Sequence, residues 1–520
     1  MHSAAPIRPY ARLMRRRRTA FAALTALALL ASACGTREAG VSVVIGVTGP
    51  GDTTGGALFP TDPVDTAAGA TTTIEPTYTV RDGVVDFGEA GPQHPTYDGF
   101  LTSAFEDIQA FWKDAFPAAY GKPFTPLSGG IYAAYPSRTA PIPGCGKAQS
   151  TYADVAEGTA FYCVDGDFIA YDDAKGLPDL VQQLGKEAVA VVLAHEFGHA
   201  IQSRAGEWDQ PGVLKEQQAD CFAGAWAAHV ASGASSLVRF DDTDVRAGLV
   251  AMIQVADPVA GQGLGDPLAH GTGFDRVGAF QDGFQGGVPR CSTFFTEDRA
   301  SKMIDIPFDV SDLNQGNLPL IDPKPDPTKG PNDIVTQIPN SLDQFWTTLA
   351  KQNKVPFTAP KFAPFDPSGA PPTCAGVPAT AWLRNAVFCA ADNTIHWDKA
   401  EMARLAGDPL TGDMSVGYLF SDAYSDAIET ALHSTASGEH RALTEDCLTG
   451  AWVASIVPQA GQPNDKLVLS AGDLDEAVIT AISRSDPTKD TNINGSAFEK
   501  ISAFRTGVLG GLNVCRTLPG

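Results

Sequence analysis

Positive charge is what this sequence has least of: 37 Lys and Arg stand against 60 Asp and Glu, a formal net charge of −23 with a sequence pI near 4.7. Nucleic acid and anionic membrane surfaces both demand a basic face, so neither is expected as a partner. Histidine is also scarce, nine residues in 520, which makes any regular spacing of histidines informative. The apolar stretch near the N-terminus, Thr19 to Ala33, is 15 residues long, short of the roughly 20 that a spanning helix needs. What remains is an acidic chain, 43% hydrophobic, long enough for two or three domains with ordinary globular cores.

Arg8, Arg12 and Arg15 to Arg18 precede the apolar stretch, which ends in small residues, so residues 1–33 read as a lipoprotein-type signal peptide. Leu30-Ala31-Ser32-Ala33-Cys34 resembles a bacterial lipobox, with Ala31 where leucine is usual, and Cys34 is the expected lipidation site. The alternative is an ordinary cleavage site followed by a cysteine of no special role. The protein is therefore expected outside the cytoplasm, held to the outer face of the cell membrane by its lipid. Without residues 1–33 the formal charge becomes −29, since six arginines and no acids are removed. In an oxidising compartment the eight other cysteines, an even number, suggest disulfides.

Residues 34–92 are rich in Gly, Thr, Pro and Asp without helical or strand periodicity and read as a flexible tether. A second polar stretch, 305–340, contains Asp322-Pro323-Lys324-Pro325-Asp326-Pro327 and reads as a linker between folded regions at 93–304 and 341–520. Those regions look like copies of one another. Asp220-Cys221-Phe222-Ala223-Gly224-Ala225-Trp226 recurs as Asp446-Cys447-Leu448-Thr449-Gly450-Ala451-Trp452, and Phe274-Asp275-Arg276 recurs as Phe498-Glu499-Lys500. Phe161-Tyr162-Cys163 with Tyr171-Asp172 matches Val387-Phe388-Cys389 with Trp397-Asp398, and Phe111-Trp112 matches Phe345-Trp346. A duplicated unit should repeat its disulfides, so the expected pairs are Cys145 with Cys163, Cys221 with Cys291, Cys374 with Cys389, and Cys447 with Cys515.

The segment Lys186 to Arg204 carries an apolar run, Ala188 to Ala194, with Gly206 as a natural stop, and reads as a buried helix. On it lies His195-Glu196-Phe197-Gly198-His199. The i, i+4 spacing puts both imidazoles on one face, where they can share one Zn²⁺, with Glu196 beside them as a general base. Catalytic zinc needs a third protein ligand and an open position. The residues after His199 lack the third histidine of the metzincin pattern. A following helix, Leu214 to Val230, offers Glu216 and Asp220 one turn apart. Glu216 is assigned as ligand and Asp220 as the acceptor that orients a ligand histidine, with the reverse assignment open.

With these residues, and with Glu216-Gln217-Gln218-Ala219-Asp220-Cys221, His270-Gly271-Thr272-Gly273 and Cys291-Ser292-Thr293-Phe294, the chain resembles the bacterial putative neutral zinc metallopeptidase family over about residues 95–297. The resemblance implies an α+β, zincin-like fold with a small sheet lying over two metal-bearing helices. A degenerate repeat of the same fold is expected to follow. Aligning the two halves puts either Asp422 and Asp426 or Ser421 and Ser425 at the histidine positions, Ala442 opposite Glu216 and Asn494 opposite His270. No histidine appears in either register, so the second half is expected to hold no metal. His270, lost along with the ligands, is a candidate catalytic residue for binding substrate or stabilising an oxyanion. The expected activity is zinc-dependent hydrolysis of peptide bonds in extracytoplasmic proteins or peptides. The rival is a non-catalytic surface binding or scaffold lipoprotein on the same fold, against which the intact Glu196 argues.

Overall fold

In the computed structural model, residues 77–515 are described apart from 157–158, 211, 257–270, 296–298, 300–302, 305–316, 459–466, 471 and 486–494. The signal peptide, Cys34 and His270 lie outside the described residues. No helix among those described is long and apolar enough to cross a membrane.

The first half opens with helix α1, Asp98–Tyr120, whose Leu101, Phe105, Ile108, Trp112 and Phe116 recur at three- and four-residue steps and are all buried. Strand β1 (Gly130–Ala134), a short hairpin of β2 (Ile142–Pro143) and β3 (Gln149–Ser150), and helix α2 (Tyr152–Ala156) follow. Strands β4 (Ala160–Cys163) and β5 (Phe168–Asp172) complete a three-stranded sheet of order β1-β5-β4. β5 is central, parallel to β1 and antiparallel to β4, and all five of its residues are buried. Helices α3 (Gly176–Leu184), α4 (Lys186–Ala205), α5 (Gly212–Ala231), α6 (Asp242–Gln254) and α7 (Gly273–Cys291) form the rest.

The second half runs α8 (Ile334–Gln352), β6 (Lys361–Phe365), β7 (Ala386–Cys389), β8 (Thr394–Asp398), α9 (Lys399–Gly407), α10 (Asp413–Ala431), α11 (Gly438–Ser455), α12 (Asp473–Ser483), α13 (Ala497–Gly510) and α14 (Leu512–Cys515). Its sheet has the order β6-β8-β7, again with one parallel and one antiparallel pairing. Two glycine pairs set the tightest helix contacts. A Cβ on Gly224 of α5 would lie 2.0 Å from the Phe280 carbonyl of α7, and one on Gly283 would lie 1.8 Å from that of Cys221. Gly450 and Gly507 meet α13 and α11 in the same way, at 2.1 and 1.9 Å. The disulfides are Cys145–Cys163, Cys221–Cys291, Cys374–Cys389 and Cys447–Cys515, the four expected pairs.

The halves meet along α7 and α13, and the contacts reciprocate. Gln281 donates its amide to the Phe498 carbonyl at 3.0 Å, while Arg505 donates to that of Phe274. Phe280 faces Phe498 with ring centroids 6.4 Å apart, and Phe274 faces Phe504 at 6.2 Å. A contact of residue i with j matched by one of j's counterpart with i's is the mark of an approximate two-fold axis.

Two expected boundaries shift. Residues 77–92 are packed rather than loose: Tyr78 lies edge-on to Phe100 at 5.0 Å, Val85 and Phe87 are buried, and the Asp86 amide bonds to the Ile131 carbonyl at 2.8 Å. The described end of the tether thus belongs to the first folded unit, because its alternating apolar residues find the edge of β1. Helix α8 begins at Ile334, inside the expected linker. Asp333 caps it by accepting from the Thr336 amide, a signal that the Pro-rich surroundings and Pro339 within the helix obscure in sequence.

Candidate metal centre

Helix α4 is buried from Ala188 to Gln202 with one exception, Glu196, which is half-buried. Its apolar residues face the core on most sides, so the two histidines are carried on a rigid, enclosed element. Their side chains point at α5. His195 Nε2 lies 3.2 Å and His199 Nε2 3.3 Å from the same oxygen, Glu216 Oε2. These three donors form a group able to hold a metal ion.

The opposite ring nitrogens are held from behind. His195 Nδ1 lies 2.7 Å from Asp220 Oδ1, so Asp220 accepts its proton and leaves Nε2 as the free lone pair. Arg276 of α7 grips that carboxylate with both prongs, Nε to Oδ2 at 2.9 Å and a terminal nitrogen to Oδ1 at 2.8 Å, and donates also to the Val255 carbonyl at 2.5 Å. His199 Nδ1 meets Gln202 Oε1 at 2.9 Å, and the Gln202 amide donates to the Lys215 carbonyl at 2.6 Å. Each imidazole is thereby set in the tautomer that a metal ligand requires.

Electrostatics point the same way. Burial alone would lower the His195 imidazole, but the Asp220 carboxylate and then Glu216 raise it to about 9. Burial lowers and Glu216 raises His199, with a net rise. Asp220, which burial would raise, is held below its ordinary value by Arg276 and then His195. The enclosed site is thus built to hold positive charge.

The donor set fits zinc. Around a tetrahedral zinc ion with bonds of about 2.0–2.2 Å, ligand atoms stand about 3.3–3.5 Å apart, and the two donor distances to Glu216 are 3.2 and 3.3 Å. Two neutral imidazole nitrogens and one carboxylate oxygen are also the chemistry of a catalytic site with a position left open. Glu196 stands outside the ligand group, its Oε2 accepting the Tyr162 amide of β4 at 3.0 Å.

Arg276 and Gln202 join the site through Asp220 and His199, and neither stands out in the sequence as a site residue. For Arg276 a signal existed: a basic residue recurs at that place in both halves, as does the acid it pairs with. Lys500 donates to both oxygens of Asp446 at 2.9 and 2.8 Å, and the Tyr418 hydroxyl donates to the same carboxylate. On α10, Asp422 lies near Lys500 and Asp446, whereas Asp426 accepts from Arg441 Nε at 3.2 Å. Ser421 and Ser425 are instead buried, with hydroxyls that have no hydrogen-bond partner among the described residues. The described chain resumes after His270 at Gly271, packed against Val213 and Gln217 of α5.

Two histidines a turn apart and a glutamate from the next helix form one group that could hold a single metal ion, with Glu196 beside it. The profile of the putative neutral zinc metallopeptidase family matches residues 88–294. An uncharacterized protein of Mycobacterium tuberculosis (strain ATCC 25618 / H37Rv), Rv2575, is 30% identical over 217 residues, covering 37% of this chain and 68% of its own length. An uncharacterized protein of Escherichia coli K12, YpfJ, is 29% identical over 171 residues, 29% of this chain and 57% of its own. No solved structure matches. The chain belongs to the putative neutral zinc metallopeptidase family.

Proposed function

We propose that this protein is a zinc peptidase acting on extracytoplasmic proteins or peptides, with His195, His199 and Glu216 as metal ligands and Asp220 as the group that orients His195. The observation that carries this reading is the convergence of both Nε2 atoms on one Glu216 oxygen, with Glu196 adjacent yet outside the ligand group. Zinc held there would supply a Lewis acid able to bring the pKa of a water toward about 7 and to polarise a carbonyl.

The chain's own residues do the rest. Asp220, Arg276 and Gln202 keep the imidazoles oriented. Strand β4 is at the sheet edge, so an extended peptide along it would bring a carbonyl over α4 beside Glu196. Glu196 takes a proton from the attacking water and returns it to the departing amine. His270 is retained as a candidate contact to the substrate carbonyl.

The second half is proposed to be a metal-free copy of the same fold. Support comes from the equal sheet order, the matching disulfides, the paired close-approach glycines and the Asp446–Lys500 pair standing where Asp220–Arg276 stands. Asp422 and Asp426 take the histidine positions in this reading. An N-terminal signal with lipidation at Cys34 would carry the protein across the membrane and anchor it outside, in keeping with its four disulfides.

The test is zinc content and cleavage of an unstructured protein before and after Glu196→Gln. Retained zinc with cleavage reduced by about 10²-fold or more is expected for loss of a general base. Bound zinc without Glu196-dependent hydrolysis refutes the peptidase reading.

A further inference from the structure

Three carboxylates lie together at a corner of the second half where the heads of α10 and α12 meet. Asp413 opens α10, Asp473 opens α12 and Glu476 follows one turn on; their exposures are 8%, 3% and 9%. One oxygen from each lies within 4.8 Å of the others. Backbone and side-chain donors use part of their capacity. Asp413 Oδ2 accepts from the Leu318 amide at 2.8 Å, Glu476 accepts from Asn317 at 2.8 Å and the Met414 amide at 3.0 Å, and Asp473 accepts from the Ser470 amide at 2.7 Å and hydroxyl at 2.5 Å.

These bonds do not neutralise the cluster. Among the described residues no Lys, Arg or His forms an ion pair with any of the three. Among the described residues the second oxygen of Asp413, Oδ1, is buried and has no hydrogen-bond partner. An orphaned carboxylate oxygen beside two further buried carboxylates is an arrangement that calls for a cation. Helix N-termini favour negative charge, but only as partial positive charges of about one half each. In the first half the heads of α4 and α6 meet at a similar corner, and there Lys186 sits near Asp244 and pairs with Glu187 at 2.6 Å. Where that corner has a lysine, this one has Asp413.

We propose that Asp413, Asp473 and Glu476 form a binding site for a calcium-sized divalent cation, which fastens the end of the interdomain segment to the second half. The ligand class follows from the donors: all are hard carboxylate oxygens, without nitrogen or sulfur. Oxygens around Ca²⁺, at about 2.3–2.6 Å from it, are up to about 5 Å apart, which the cluster accommodates. Asn317 and Leu318 belong to the interdomain segment, and Asp475, between two of the ligands, accepts the Phe274 amide at the head of α7 at 2.9 Å. The cation would therefore bind where the segment, the second half and the helix bearing Arg276 come together.

The test uses the full chain, zinc-loaded and otherwise freed of divalent ions, titrated with Ca²⁺ alone. One calcium per chain is expected, with zinc content unchanged and the melting temperature raised by about 5 °C at a hundredfold excess over the dissociation constant. Asp413→Asn with Asp473→Asn should abolish calcium binding and the shift, and should raise the melting temperature of the calcium-free protein by relieving repulsion. Failure of the wild-type chain to bind calcium at about 1 mM, the affinity limit of weak extracellular sites, overturns the proposal. So does a calcium ion that survives both substitutions. If the double variant does not fold, the wild-type stoichiometry and shift decide.

Discussion

Arg276→Met removes the counter-ion of Asp220 while keeping most of the volume of the arginine stem. In the native protein Arg276 is 1% exposed and Asp220 fully buried. The substitution takes away two charge-assisted hydrogen bonds to Asp220 and the one to the Val255 carbonyl. Asp220 keeps the bond from His195 but is left as a buried charge, and breaking one side of such a pair costs about 3–5 kcal/mol. The metal site should suffer as well, since His195 is oriented through this carboxylate. Losing a ligand's outer partner lowers metal affinity by about 10–100-fold, or about 1.4–2.8 kcal/mol. Urea denaturation followed by tryptophan fluorescence, with and without zinc, measures the first quantity; competition with a chromophoric chelator measures the second. Arg276→Lys should recover most of the stability, because Lys500 performs the same service for Asp446. If Arg276→Met changes stability by less than about 0.5 kcal/mol, the size of an ordinary surface substitution, and leaves zinc affinity within twofold, the account of α7 as the backing of the metal site is wrong.

In the metal-free chain the stabilisation from protonated His195 should be fully present below about pH 6.5, the ordinary His value, and up to about 3 kcal/mol of it should be lost as pH rises through the folded value of about 9. Melting curves of metal-free and zinc-loaded protein across that window test this, and equal pH dependence of the two would refute it. Zinc affinity should itself rise with pH over the same range, as the imidazoles must shed protons to bind, and a chelator titration at several pH values reads this directly. Gly283→Ala should destabilise by about 1–3 kcal/mol through overpacking, since the added Cβ would meet the Cys221 carbonyl at 1.8 Å; an unchanged denaturation midpoint would show that α5 and α7 can separate freely.

Sequence alone carried the centre of the site because its chemistry is local. His195, Glu196 and His199 lie on one helix whose apolar run is plain to read, and Glu216 sits one turn from Asp220 on the next. The disulfides were legible for a different reason, the near-equal cysteine spacings of the two halves. Arg276 was not, because its role depends on α7 folding back across α5 from 56 residues beyond Asp220, a contact that periodicity does not encode. Side-chain direction along α10 was equally hidden: Asp422 lies near Lys500 and Asp446, Asp426 pairs with Arg441, and Ser421 and Ser425 are buried. Residues 77–92 and the start of α8 were misjudged where Pro and Gly content outweighed a few apolar or capping residues that tertiary packing uses.

The reciprocal contacts of α7 and α13 have a consequence in terms of mass action. A two-fold pair made of separate chains comes apart on dilution, whereas here both faces are on one polypeptide and each meets the other at an effective concentration on the order of millimolar. The Gln281–Phe498 and Arg505–Phe274 bonds therefore hold at any protein concentration. Each half is also free to change on its own, which two identical subunits are not. A chain joined in this way can alter the helix pair of one half without losing the interface that both need.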